Sequence, residues 1–154
     1  MKNLQILATL LFATALIAAT SCLKENESDE SFSSNTGGTE SHNTGENCMN
    51  CHKSGGDNEG RFTLAGSVFN GQQSGYSNAV VRLYTAPNGG GTLKATINGD
   101  ARGNFYTTSG IDFAGGLYVA VAGTGGNVEY MNSPVTSGAC SSCHGNSTTQ
   151  IVVN

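Results

Sequence analysis

From Arg61 to the C-terminus the apolar residues fall in short runs, each ended by a glycine-rich break, and this spacing most constrains the fold. The runs lie at 62–69, 79–85, 92–98, 104–107, 117–122, 128–131 and 149–153. Each has strand length and none carries a helical period. Within 117–122, Leu117, Val119 and Val121 alternate with Tyr118 and Ala120, so one face is apolar. The breaks at 87–91, 98–99 and 123–127 are built of Pro, Asn, Gly and Thr, residues that form tight turns and, as Gly or Asn, accept positive φ. They do not read as phosphate loops, because none follows a strand and opens a helix. With 22 glycines and no tryptophan, the core has to rest on short strands and tight turns. The expectation is an all-β Greek-key β-sandwich at 47–154, long enough for one domain with a modest core.

Two short motifs flank these runs. Cys48-Met49-Asn50-Cys51-His52 precedes the first and Cys140-Ser141-Ser142-Cys143-His144 precedes the last, using four of five cysteines and two of three histidines. CxxCH is the pattern of covalent c-type haem attachment. Its spacing has a chemical reason: two thiols on one turn reach the two vinyl groups of one porphyrin, and the next residue presents an imidazole to the iron. Cys48, Cys51, Cys140 and Cys143 are thus expected to hold two covalent haem c groups, with His52 and His144 as proximal iron ligands. Two other readings use the same cysteines. The four thiols could close a tetrahedral zinc site, or pair as disulfides. Both leave the two histidines without a role.

The N-terminus directs the chain out of the cytoplasm. Residues 1–21 read as a signal peptide, with Lys2 as its positive end and an apolar stretch from Leu4 to Ala19 too short for a membrane span. Ala19-Thr20-Ser21-Cys22 resembles a lipoprotein cleavage site, which makes Cys22 the lipidated first residue of the mature chain; a plain secreted protein is the alternative. The cluster Lys24-Glu25-Asn26-Glu27-Ser28-Asp29-Glu30 resembles the surface-export signal of Bacteroidota lipoproteins, or is simply a solvated acidic tether. The expected location is the outer membrane, on its periplasmic or cell-surface face.

The formal charge of −4 is unevenly spread. Residues 23–46 carry −5, whereas 47–154 are neutral. Residues 22–46, rich in Ser, Thr, Asn and Gly, are expected to be a disordered acidic tether. A neutral domain with no basic patch gives no footing for nucleic acid.

Four pieces of the strand region carry a resemblance. Gly66-Ser67-Val68, Ala79-Val80-Val81-Arg82-Leu83-Tyr84, Asp100-Ala101-Arg102-Gly103-Asn104-Phe105 and Gly116-Leu117-Tyr118-Val119-Ala120-Val121 are similar to the G-x-V, A-x-V-x-L, D-x-x-G-x-F and G-x-Y-x-V pattern of the carboxypeptidase-regulatory-like domain. The resemblance covers 62–122 and implies a transthyretin-like sandwich with a structural role. It also implies that the first strand and a late strand run parallel and adjacent. If these are 62–69 and 149–153, both motifs lie at one end of the sheet and their haems are neighbours. The CxxCH motifs themselves are a departure from that family.

Each iron has a second face to fill. His42 is the one remaining histidine, and Met131 is the thioether outside the signal peptide and the motifs. Both are candidate distal ligands, set against a solvated histidine and ordinary packing. An iron with neither keeps an open face. No Ser/His/Asp set is present and the carboxylates are scattered on turns, so no enzyme is expected. The motifs resemble those of a dihaem c-type cytochrome, which implies electron transfer with other redox proteins. The alternative is a non-redox binding or adhesion module of the cell surface, with Tyr76, Tyr84, Tyr106, Tyr118 and Tyr130 as stacking surfaces.

Overall fold

The computed structural model describes residues 31–53 and 60–154. The expected signal peptide at 1–21, the lipidated Cys22 and the acidic cluster at 24–30 lie outside the described residues. What is described is all-β. Eight strands form two sheets, and helix is confined to two single 3-10 turns.

The strands are β1 (Leu64–Phe69), β2 (Val80–Tyr84), β3 (Leu93–Asn98), β4 (Asn104–Thr107), β5 (Tyr118–Ala122), β6 (Val128–Tyr130), β7 (Gly138–Ala139) and β8 (Ile151–Val152). The second sheet runs β3-β2-β5-β6, antiparallel throughout. In the first sheet β1 is central, with β4 antiparallel on one side. Its other side is shared by two parallel partners: β7 at Leu64 and Ala65, then β8 at Val68 and Phe69. The parallel pairing of the first strand with the last therefore occurs as expected.

Seven of the eight strands were expected, with ends within two residues. β7 was not, because Gly138-Ala139 carries no apolar period. Its place is set by close approach: a Cβ on Gly138 would lie 2.0 Å from the Thr63 carbonyl oxygen.

One hydrophobic cluster draws on both sheets, with Leu64, Val68 and Phe105 from the first and Val81, Leu83, Ile97, Val119 and Val121 from the second. β2 alternates, with Val81 and Leu83 buried and their neighbours half-buried. β1 does not alternate, being buried at all six positions. Its core face carries Leu64, Gly66 and Val68. Its outer face carries Ala65, Ser67 and Phe69 and lies beneath the segment that precedes the first motif.

That segment corrects an expectation. The disordered tether was expected to reach residue 46, yet the chain from Ser31 onward packs on the domain and belongs to the same compact unit. Ser33 bridges Thr107 along the free edge of β4, and Ser34 is buried. Ser34 N donates to the Tyr106 carbonyl at 2.9 Å, and Ser34 Oγ donates to the Asn98 carbonyl at 2.7 Å. The composition is that of a tether, but its hydroxyls and amides find partners on the edge strand.

The turn expected from Asp100 to Phe105 forms. Asp100 Oδ1 accepts from Arg102 N and Asn104 N, each at 2.9 Å. Gly103 has φ +87°, and a Cβ there would meet Tyr76 N and Val68 O at 2.7 Å. Phe105 follows into the core.

Candidate haem-attachment sites

Both CxxCH motifs adopt one conformation. Each begins with a 3-10 turn, Cys48–Asn50 in the first and Cys140–Ser142 in the second. In each, the amide of the second cysteine donates to the carbonyl of the first at 3.2 Å. The histidine amide donates to that same carbonyl, at 2.9 Å for His52 and 3.0 Å for His144. The second cysteines have similar backbone angles, φ −102° and ψ −44° at Cys51, φ −110° and ψ −54° at Cys143. In each, the first thiol turns back to a carbonyl two residues upstream, Glu46 or Gly138, while the second is exposed. All four thiols are free.

The two motifs are held differently. The first follows the packed segment at 41–47, and Asn47 caps its turn by accepting from Met49 N. Its far end is tied to the start of β1, since Phe62 N donates to the His52 carbonyl. The second interrupts a strand. β7 ends at Ala139 opposite Ala65 and β8 resumes at Ile151 opposite Val68, so residues 140–150 bulge out of the row of β1 partners.

Gly66 makes the interruption fit. A Cβ there would lie 2.7 Å from Phe105 Cζ and 2.9 Å from Cys140 Cβ, so the missing side chain leaves room for the cysteine. Burial there pushes the Cys140 thiol up to about 12, and the nearby Cys48 and Cys143 thiols push the same way. Burial also raises Cys48, with Cys51 adding to it. Both turns lie against β1, so the two motifs sit beside the same strand.

The tautomer of His144 is set by a hydrogen bond from one ring nitrogen. Nδ1 lies 2.8 Å from the Thr149 carbonyl oxygen. A carbonyl only accepts, so Nδ1 carries the proton and Nε2 of the neutral ring keeps its lone pair. Metal-ligating histidines are commonly oriented this way. The loop that supplies this carbonyl is closed on the motif, with Asn146, Ser147 and Thr148 amides all donating to the Cys143 carbonyl.

His52 stands in a stack. Its ring lies 4.1 Å from Phe62, nearly parallel, and Phe62 lies 4.9 Å from Tyr106. Phe32 meets both Phe62 and Tyr106 edge-on. These rings form one wall of a cleft of about 600 Å³, lined also by His42, Cys48, Cys51 and Asn104. That volume lies within the usual range for bound small molecules and cofactors, about 300–1,000 Å³. An apolar wall, two thiols and two imidazoles around such a cleft fit a covalently attached haem.

The remaining candidates separate. His42 stands across from His52, ring centres 6.1 Å apart. Met131 follows β6, is half-buried and packs against the shared core, and it is not among the cleft residues. Asn104, which the sequence did not single out as a site residue, lines the cleft. Among the described residues no three His, Cys, Asp or Glu side chains are grouped to hold a metal ion. No protein family, curated protein or solved structure matches the chain.

Proposed function

We propose that this chain is an exported dihaem c-type cytochrome lipoprotein that carries electrons between redox partners, built on a transthyretin-like Greek-key sandwich and anchored to the outer membrane through Cys22. The observation that carries the proposal is the shared conformation of the two CxxCH turns, each ending in a histidine beside its second cysteine. The same turn built twice in different surroundings fits one role for both. The parallel pairing of β1 and β8 and the turn from Asp100 to Phe105 support the sandwich type.

In this reading Cys48, Cys51, Cys140 and Cys143 would hold the two haems, each thiol by addition across a vinyl group with its hydrogen going to the other vinyl carbon, so that no electron would be consumed. His52 and His144 would bind the irons, with the Thr149 carbonyl fixing the tautomer of His144. The haem supplies one-electron chemistry, with a potential tuned by axial ligand, burial and nearby charge. Attachment beside one strand brings the two redox centres near each other, as electron relay requires. Partners would be other redox proteins met in weak encounters.

The test is expression in a host competent for cytochrome c maturation, followed by haem staining of a denaturing gel and an intact-mass spectrum. A stained band with the mass of two covalent haems is expected. An unstained band at the bare polypeptide mass would overturn the proposal in favour of a surface binding module.

A further inference from the structure

The geometry points to His42 as the second axial ligand of the haem attached at Cys48 and Cys51, held in place by the buried amide of Asn104. This rests on the cytochrome reading and assigns a ligand within it. With a metal–nitrogen bond of about 2 Å, two imidazoles on opposite faces of one metal stand about 6 Å apart, centre to centre. The His42 and His52 rings are 6.1 Å apart, and both line the cleft.

A histidine on a loose tether would pay a large ordering cost to reach an iron. His42 does not, because its segment is fastened on both sides. Asn104 Nδ2 donates to Ser41 Oγ at 2.8 Å and to Thr44 Oγ1 at 2.9 Å. Its Oδ1 accepts from Ser67 Oγ at 2.6 Å, and Ser67 Oγ accepts in turn from Gly45 N. Asn104 is buried, so water competes little for its amide. The Glu46 amide donates to the Asn43 carbonyl and closes the turn after His42. The ligand is thus presented by a turn bolted to β1 and to β4, which gives Asn104 and Tyr106 to the cleft. No other histidine remains for the second haem, so the two irons are unequal.

The test uses the full-length, haem-loaded chain and the variant His42→Ala. His42 is exposed, so its removal leaves the core intact. The intact mass should still show two haems. One haem should pass from the low-spin to the high-spin spectrum, added imidazole should restore it, and the reduced protein should bind one more equivalent of carbon monoxide than wild type. The double variant Ser41→Ala/Thr44→Val keeps His42 but removes its fastenings. It should shift the same haem in part and lower its midpoint potential separation from His42→Ala. An unchanged spectrum and carbon monoxide stoichiometry in His42→Ala, with both haems present, would overturn the assignment. A wild-type mass without haem would overturn the cytochrome reading itself, and this assignment with it.

Discussion

A methyl group at residue 66 is the smallest change that should disturb the second motif. Alanine there would press on Phe105 and on Cys140 at once, and neither neighbour is free to withdraw, one being core and the other wedged at the strand interruption. Gly66→Ala should destabilise the haem-free protein by about 1–3 kcal/mol, the usual cost of overpacking. Gly110→Ala, where an added Cβ meets nothing within 4 Å, is the matched control, and thermal melts of the two should differ by several degrees. The same site gives a prediction in pH. A thiol whose pKa rises on folding holds its proton more tightly in the native state, so its contribution is complete below the ordinary value near 9 and is lost as pH climbs toward about 12. The haem-free protein should therefore lose stability across that window, read as a falling denaturation midpoint. Replacing Cys140 with Ala should flatten the slope. At neutral pH, the exposed Cys51 and Cys143 should alkylate well before Cys140, as mass spectrometry of timed samples would show.

At the scale of elements, the second motif reads as an insertion into one edge strand. Between the partners of Ala139 and Ile151 only Gly66 and Ser67 remain on β1, so two residues in place of 140–150 would make β7 and β8 continuous. A chain so shortened should fold to the same β-rich circular dichroism spectrum and carry one haem by mass. Loss of the fold would mean that the loop organises the edge rather than decorating it. This arrangement also explains what could be foreseen. β2 and β5 showed in the sequence because their inward residues, Val81, Leu83, Val119 and Val121, alternate against one core. The motif cysteines showed because two copies of one five-residue pattern share a spacing. β7 did not show, since two small residues carry no period. Nor did the packing of 31–46, whose partners include backbone groups of β4 and the amide of Asn104, sixty or more residues away. Hydrogen bonds between distant polar residues leave no mark in local composition. Removing 31–46 should expose the edge of β4 and lower the melting temperature.

Across the whole molecule, charge distribution decides how partners approach. The region from Asn47 onward is neutral, so the domain as a body exerts little net pull. The cleft is different: its charged lining is Glu40 and Glu46, with no lysine or arginine among its residues. Both carboxylates belong to the packed segment, so packing that was absent from the tether expectation converts two tether charges into a fixed negative rim. Such a rim raises the encounter rate with a positively charged redox protein without adding much to affinity. The double variant Glu40→Gln/Glu46→Gln should slow electron exchange with a basic cytochrome by about three- to tenfold at low ionic strength. The difference should vanish near 1 M salt, where screening acts within about 3 Å. These changes keep His42 and His52, so the spin state of a haem held there should stay as in wild type while the rate falls, and losing two nearby carboxylates should raise its midpoint potential. Stopped-flow traces at two salt concentrations separate the outcomes. A rate loss that persists at high salt would mean that the glutamates act on the haem site itself, whereas no loss at low salt would place the encounter surface elsewhere, beside the exposed Cys143 and the loop that follows it.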